Sequence, residues 1–473
     1  MLGKPNFTEK EEVSKFFTEN NIRILNLCHI PEEGRLKTLS FSIKDINRVS
    51  EILDYGERVD GSNLFSYIEP GKSDIYIIPR IEAAFINPFA TLPTLNIICD
   101  YLDENGRPLD VSPKNVLMRA EERLQSSKNI TLKALAELEF YIVARQQAET
   151  LFPQPPDRNY HESAPFAKFE DLRNETMATL DMIGIPTKYG HSEVGQILLE
   201  DNTVMEQHEI EFTPENLTKM AETITIAKWA IRNVCMRRGV SASFIPKIDL
   251  SHAGTGMHIH FCALRNAQNI VTDPGGTLSD EGLIMIGGIL KLAPSLAAFG
   301  NPAPPSYLRF IARKESPMHI CWSARNRLAL IRIPLWWSFK KGAMKNGSCR
   351  QTFEYRASDA FANSYLVLAG LTIAMNHGLE NSEEALKTAK DLHIDATGTE
   401  IRKLKTLPTS CSESAESLER DREYYEEDEV FPKKLIDETI KKLKAYGDKN
   451  LRMELSTKPE KIERILMQYV DYG

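Results

Sequence analysis

Apolar residues recur at helical spacing over residues 9–20. They then alternate with polar residues along IRILNLCHI (22–30) and LKTLSFSI (36–43), the pattern of strands with one covered face. After a polar turn at 69–72 (EPGK), SDIYIIP reads as a further strand, so the first hundred residues form a small α+β unit. The segment DENGRPLDVSPKN (103–115) gathers Gly, two Pro and Asn ahead of a helical stretch, VLMRAEERLQSS. A domain boundary is expected there, dividing the chain into 1–108 and 109–473.

Beyond it come a strand, ALAELEFYIV (134–143), a Pro-rich loop (152–165) and a helix, FEDLRNETMATLDMIG (169–184). Mixed segments run to about residue 380, and the remainder is helical and highly charged. There SESAESLERDREYYEEDEV (412–430) is expected to be a solvated face or loop. The longest stretch free of Asp, Glu, Lys and Arg is 360–379, and its apolar part, Tyr365–Met375, suits a buried core helix rather than a bilayer span.

The 473 residues are 42% hydrophobic and 26% charged, which excludes disorder and collagen-like repeats. A net charge of −8 lacks the basic footprint of nucleic-acid or anionic-membrane binding. Seven cysteines without a CxxC spacing argue against a disulfide framework or a structural zinc site. The first residues lack a signal-peptide core, so a cytoplasmic protein is expected, with neither nucleic acid nor membrane as partner.

The chemistry lies in a repeated spacing. Ligand-capable residues stand at i and i+2 in Glu137/Glu139, Glu209/Glu211, His258/His260 and Glu354/Arg356. On a strand both members of such a pair share one face. Any one pair is the wet face of an antiparallel sheet; four together make a divalent-metal platform. Carboxylate oxygens with an imidazole suit Mg²⁺ or Mn²⁺ better than Zn²⁺. Arginines crowd between 309 and 356 (Arg309, Arg313, Arg325, Arg327, Arg332, Arg350, Arg356), and Arg332, inside the apolar run ALIRIPLWW, needs a partner for its charge. Each arginine alone is as readily a structural salt bridge. As a set they fit a phosphate clamp, and with metals they equip a phosphoryl-transfer enzyme. No GxxxxGK[ST] loop and no GxSxG is present.

Nine blocks in order carry a resemblance to the bacterial-type glutamine synthetase family: VDGSN (59–63), KSDIYIIP (72–79), ELEFYI (137–142), GHSEV (190–194), EQHEIEF (206–212), GTGMHIHF (254–261), NPAPPSYLRF (301–310), SARNRLALIRIP (323–334) and FEYRASD (353–359). The resemblance implies an α+β fold, with an N-terminal β-grasp-like domain and a large catalytic domain built on a curved antiparallel sheet. It implies active sites shared between neighbouring subunits, in a homo-oligomer expected to be a dodecamer of two stacked hexameric rings. The implied substrates are L-glutamate, ATP and ammonia, joined through a γ-glutamyl phosphate.

The resemblance also assigns roles. Glu139, Glu193 and Glu209 match the ligands of one metal; Glu137, His258 and Glu354 match those of a second. Arg309, Arg356 and Gly254 match the amino-acid site. Arg327 and Arg332 match groups on the transferring phosphate, with Arg332 also on the nucleotide, and His260 resembles a nucleotide-side histidine. Asp60, from a neighbouring subunit, and Glu315, on a flap, match the ammonium site. Glu211 has no ligand role in the family. Arg325 has no transferable role and is expected in a structural salt bridge, and His29, His161, His319, His377 and His393 in packing or surface roles.

Departures gather on the substrate and nucleotide side. Ala253 replaces a substrate-holding Asn, with His252 as a conceivable stand-in, and Asn63 replaces a Ser. Residues 335–349 are an insertion, and Thr352 falls where an ATP-contacting Arg belongs, leaving Arg350, Lys345 or Lys341 to substitute. No Tyr lies between 380 and 422, so adenylylation control is not expected. Three readings follow: a glutamine synthetase with a diverged pocket, a ligase joining glutamate or another acid to a different amine, and a non-catalytic family member.

Overall fold

The computed structural model describes residues 4–145, 152–273, 277–311, 316–335, 337–340, 343–346, 350–395 and 401–470. The alternating segments near the N-terminus form β1 (Ile24–His29), β2 (Lys37–Ser42), β3 (Glu57–Asp60), β4 (Asp74–Ile86) and β5 (Thr94–Leu102), ordered β2-β1-β5-β4-β3. β1 and β5 run parallel, with Leu25 opposite Leu95, and every other pair is antiparallel. Helices α1 (Lys10–Glu19) and α2 (Ile46–Tyr55) bring Val13, Phe17, Val49 and Ile52 to a core shared with Leu25 and Leu95. Glu9 and Glu12 close a capping box on α1, and the Asp45 carboxylate accepts the Asn47 N–H at the start of α2. This is the expected β-grasp-like unit.

α3 (Pro113–Lys128) opens with proline in its first turn, where a missing N–H costs nothing. It leads into the second sheet through β6 (Thr131–Arg145), followed by α4 (Glu170–Met182), β7 (Thr187–Leu198) and β8 (Thr203–Phe212). β9 (Glu215–Asn216) and β10 (Ser241–Ser243) pair with β6 around α5 (Leu217–Arg237), and β12 (Gln268–Asn269) pairs with β11 (Met257–Arg265). The remaining strands are β13 (His319–Ala324), β14 (Ala329–Ile333) and β17 (Phe353–Tyr355), giving the order β13-β14-β17-β11-β6-β8-β7. The sheet is antiparallel except for β13 and β14, which run parallel. Register shifts in β7 and β13 are the bulges that curl such a sheet. Within the insertion, β15 (Trp337–Lys340) pairs antiparallel with β16 (Ala343–Asn346).

Behind the sheet, α6 (Asp280–Gly300) and α7 (Pro304–Ile311) precede α8 (Ser364–Glu380) and α9 (Ser382–Asp391). α8 contains the core helix expected over Tyr365–Met375, buried almost throughout. α6 is long and apolar enough to cross a bilayer, yet 78% of its most apolar window is buried within the protein. It touches α8 backbone to backbone: a Cβ added at Gly378 would come within 3.0 Å of Gly288 Cα.

The charged C-terminal segment is helical as expected, but 412–430 is not merely solvated. It is α10 (Cys411–Glu426), followed by α11 (Lys433–Ala445), α12 (Leu451–Thr457) and α13 (Pro459–Met467). Cys411, Ala415, Leu418 and Tyr425 of α10 are buried, and Tyr425 OH and Ser295 Oγ of α6 lie 2.9 Å apart. Charge density hid a helical stripe of small and apolar residues; apart from the buried Asp421, the acids and bases lie mainly on the outer face, as in Lys444–Glu419 and Lys449–Glu416.

Candidate active site

Four neighbouring strands place the paired residues on one concave face. The register sets Glu137 of β6 between Glu211 of β8 and His258 of β11, Glu139 opposite Glu209, and His260 opposite Glu354 of β17. A cavity of about 960 Å³ opens over this face. Its walls include Glu137, Glu139, Glu193, Glu209, Gly254, His258, His260, Arg309, Arg327, Arg332, Arg350 and Arg356, so nearly every residue singled out in the sequence converges here. Glu354 lies directly beneath, fully buried. Asp60 does not line this cavity. Glu315, Arg313 and Lys341 lie outside the described residues.

Glu137 is flanked by two imidazoles: His258 Nδ1 lies 3.0 Å from its Oε2 and His260 Nε2 2.9 Å from its Oε1. His260 Nδ1 in turn lies 3.3 Å from Thr352 Oγ1. The partner that Arg332 requires is Glu354 at 2.7 Å, and Arg356 takes the other oxygen of the same carboxylate. Among the described residues, three sets bring their donor atoms within 4.8 Å of one another: Glu137, His260 and Glu354; Glu137, Glu209 and His258; and His191, Glu193 and Glu209.

These sets regroup the residues that the resemblance had divided into two ligand trios. His260 stands with Glu354, and Glu139 turns to accept the Gly256 N–H at 2.6 Å and Gln207 Nε2 at 3.1 Å. His191, unassigned in the sequence, lies 3.1 Å from Glu209 and 3.6 Å from Glu193. The same i, i+2 rule applied to β7 pairs His191 with Glu193, and applied to β8 pairs Gln207 with Glu209. Gly256 was also missed: a Cβ there would stand 2.6 Å from Arg309 Nη2 and 2.7 Å from His258 Nε2.

The electrostatics describe crowded carboxylates. Burial, then the charges of Glu209 and Glu139, push the Glu193 carboxyl up to about 8. Burial together with Glu137, Glu139 and Glu211 holds Glu209 well above the usual range. For Glu354 burial works in the same direction, but Arg356 and His260 outweigh it and hold the group at about 2. Glu137 also stays well below the ordinary value against its burial, because His260 and His258 face it. Carboxylates that raise each other's affinity for protons are a donor set a divalent cation satisfies, and the residues present fit one.

Arg309, nearly fully buried, donates from Nη1 to the Ala357 carbonyl at 2.9 Å and from Nη2 to the Arg356 carbonyl at 3.1 Å. Its charge is thereby positioned by backbone oxygens. Arg325 is exposed with φ +70°, and among the described residues it forms no ion pair, so the expected salt bridge is not there. Its position just past β13, at a left-handed turn, points it outward. His252 lies 3.2 Å from Asp157, while the small Ala253 side of the loop faces the cavity.

Residues 21–104 match the family model "Glutamine synthetase, beta-Grasp domain", and residues 110–461 match "Glutamine synthetase, catalytic domain". A glutamine synthetase of Thermotoga maritima is 29% identical, with 87% of this chain and 90% of that protein aligned. A 3-hydroxylaminophenol mutase of Cupriavidus pinatubonensis is also 29% identical, over 96% and 98% of the two chains. Among solved structures, the glutamine synthetase of Plasmodium falciparum superposes with a TM-score of 0.79 at 20% identity, covering 94% of this chain and 97% of that one, a likeness of fold.

Proposed function

The chain belongs to the glutamine synthetase family, and on that premise we propose that it is an ATP-dependent ligase forming glutamine from L-glutamate and ammonia. The observation that carries this reading is the single face on which carboxylates, imidazoles and arginines meet. A carboxylate resists attack by an amine because its oxygen is a poor leaving group. Transfer of the ATP γ-phosphoryl to the γ-carboxylate oxygen makes γ-glutamyl phosphate and ADP; ammonia then adds to that carbonyl and phosphate departs.

In this reading Arg309, Arg356 and Gly254 receive glutamate, and Arg327 and Arg332 face the phosphoryl group in transit. His260, Arg332 and Arg350 serve the nucleotide side. Glu139, Glu193 and Glu209 would hold one cation, and Glu137, His258 and Glu354 another. Mg²⁺ or Mn²⁺ there would offset phosphate charge. Asp60 of an adjacent subunit, with Glu315, would bind and deprotonate ammonium. The enzyme is proposed to be a cytoplasmic homo-oligomer, a dodecamer of two stacked hexameric rings, with a domain boundary at 108/109.

A second reading, a ligase for glutamate or another acid and a larger amine, draws on the Asp60 loop and the cavity wall. The Asp60 carboxylate accepts the Ser62 N–H at 2.9 Å and Asn63 Nδ2 at 2.6 Å, while Ala253 presents only a methyl group to the cavity. Phosphate release with ATP, Mg²⁺ and glutamate, measured against ammonium and a panel of primary amines, separates the two. Dependence on ammonium supports the first; turnover with an amine and none with ammonium sinks it.

A further inference from the structure

Glu211 lines the cavity and sits directly beside Glu137 in the strand register, yet it enters none of the three donor sets. It is 2% exposed. Oε1 is paired with Lys188 Nζ at 2.7 Å, and Lys188 rests over the Tyr189 ring. Oε2 is buried and meets no donor at hydrogen-bond geometry, although the Tyr189 hydroxyl stands close enough that burial and this carboxylate together push it up. A buried acceptor without a donor is costly and therefore marks a place where a donor is due.

The ion pair decides what kind of donor. Lys188 already balances the carboxylate, so Oε2 does not need a second cation; a neutral hydroxyl satisfies it without changing the local charge. Position narrows the choice further. One end of the cavity carries Arg309 and Gly254, and the middle carries the acids and imidazoles. Along β6 and β11 past Glu137 and His260 the same face carries Leu135, Lys133, Cys262 and Leu264, and Pro214 and Leu335 also line the cavity, a mainly apolar surface suited to a flat base. A nucleotide whose phosphates lie over the middle brings its sugar past Glu211.

We propose that Glu211, held by Lys188, accepts the ribose hydroxyls of the nucleotide and makes the site selective for ribonucleotides. The proposal rests on the ATP-dependent reading above. The full-length enzyme, titrated calorimetrically in Mg²⁺ without glutamate, should bind ATP about tenfold or more tighter than 2′,3′-dideoxy-ATP, as expected for hydrogen bonds to a charged acceptor. In Glu211→Leu the ratio should collapse towards one, mainly by loss of ATP affinity. Glu211→Gln keeps a carbonyl acceptor and the side-chain volume, and should retain part of the ratio. A ratio unchanged in both variants overturns the proposal. So does a fall in Mn²⁺ affinity, measured without nucleotide, that accompanies an unchanged ratio, since Glu211 is then a cation ligand. Absence of ATP binding by the unaltered enzyme overturns the ATP-dependent reading and this one with it, whereas binding with no preference between the two nucleotides overturns this one alone.

Discussion

Arg332 donates from Nη1 to Glu354 Oε2 at 2.7 Å across adjacent antiparallel strands. The pair explains how a guanidinium stands in an apolar strand, while Arg356 and His260 keep the fully buried acid ionised. It also means that Glu354 supports two arginines as well as any cation.

Glu354→Gln should therefore do two things at once. Leaving Arg332 and Arg356 without their acid should destabilise the protein by about 3–5 kcal/mol, the usual cost of breaking a buried pair, read by denaturant unfolding. Turnover should be lost with it. Because the charges of Arg356 and His260 outweigh burial and hold the folded group at about 2, below its unfolded value, this stabilisation is present above pH 4.5 and fades as pH falls through about 2. An unchanged unfolding midpoint at neutral pH would falsify the account.

Cation binding should release protons. Glu193 holds its proton up to about pH 8 in the cation-free protein, owing to burial and to Glu209 and Glu139. A divalent ion that uses this carboxylate must displace that proton, so apparent Mn²⁺ affinity should rise about tenfold per pH unit below 8 and level off above. Its folded value lies above its unfolded one, so without cation its contribution to stability is present below pH 4.5 and is lost as pH rises through about 8. Calorimetry in buffers of different ionisation enthalpy counts the protons; none released at pH 7 contradicts the assignment.

Gly256→Ala should be worse than Gly254→Ala. A methyl at 256 meets Arg309 Nη2 at 2.6 Å and His258 at 2.7 Å, whereas at 254 the nearest atoms, Arg309 Cγ and the Pro246 carbonyl oxygen, are 3.0 Å away. The first should displace both side chains and reduce kcat/KM by about a hundredfold, in line with the sensitivity of such sites to shifts near 1 Å; the second should cost less. Equal effects would contradict the geometry.

The packing of α10 can be tested by a contrast along one helix. Leu418→Ala should lower stability by about 2–5 kcal/mol, as for other fully buried leucines. Glu416→Ala, two residues away on the exposed face, should leave the unfolding midpoint nearly unchanged. Matching small effects would restore the solvated-segment expectation.

Period-two spacing located most of the cavity floor because a strand maps i and i+2 onto one face without any tertiary information. It exposed Glu137 with Glu139 and His258 with His260, and the need of Arg332 for a partner followed from its apolar neighbours. What spacing does not encode is which strands lie side by side. The turn of Glu139 towards Gly256, and the approach of His260 to Glu354, depend on the β6–β11–β17 order. His191 was readable by the same rule but lies beside a bulge in β7, where alternation is interrupted. In α10 the abundance of acids and bases masked an apolar stripe that only the helical period reveals.

Asp60 stands at the end of an edge strand of the smaller sheet and is absent from the wall of its own cavity. If its work is done in a neighbour's cavity, damage at Asp60 and damage at Glu354 fall on different sites of the same assembly. Two inactive variants, Asp60→Ala and Glu354→Gln, dissociated and reassembled together should then regain activity that neither has alone. Genetic complementation between two defective alleles would be the cellular trace of a residue placed on the far side of its own fold.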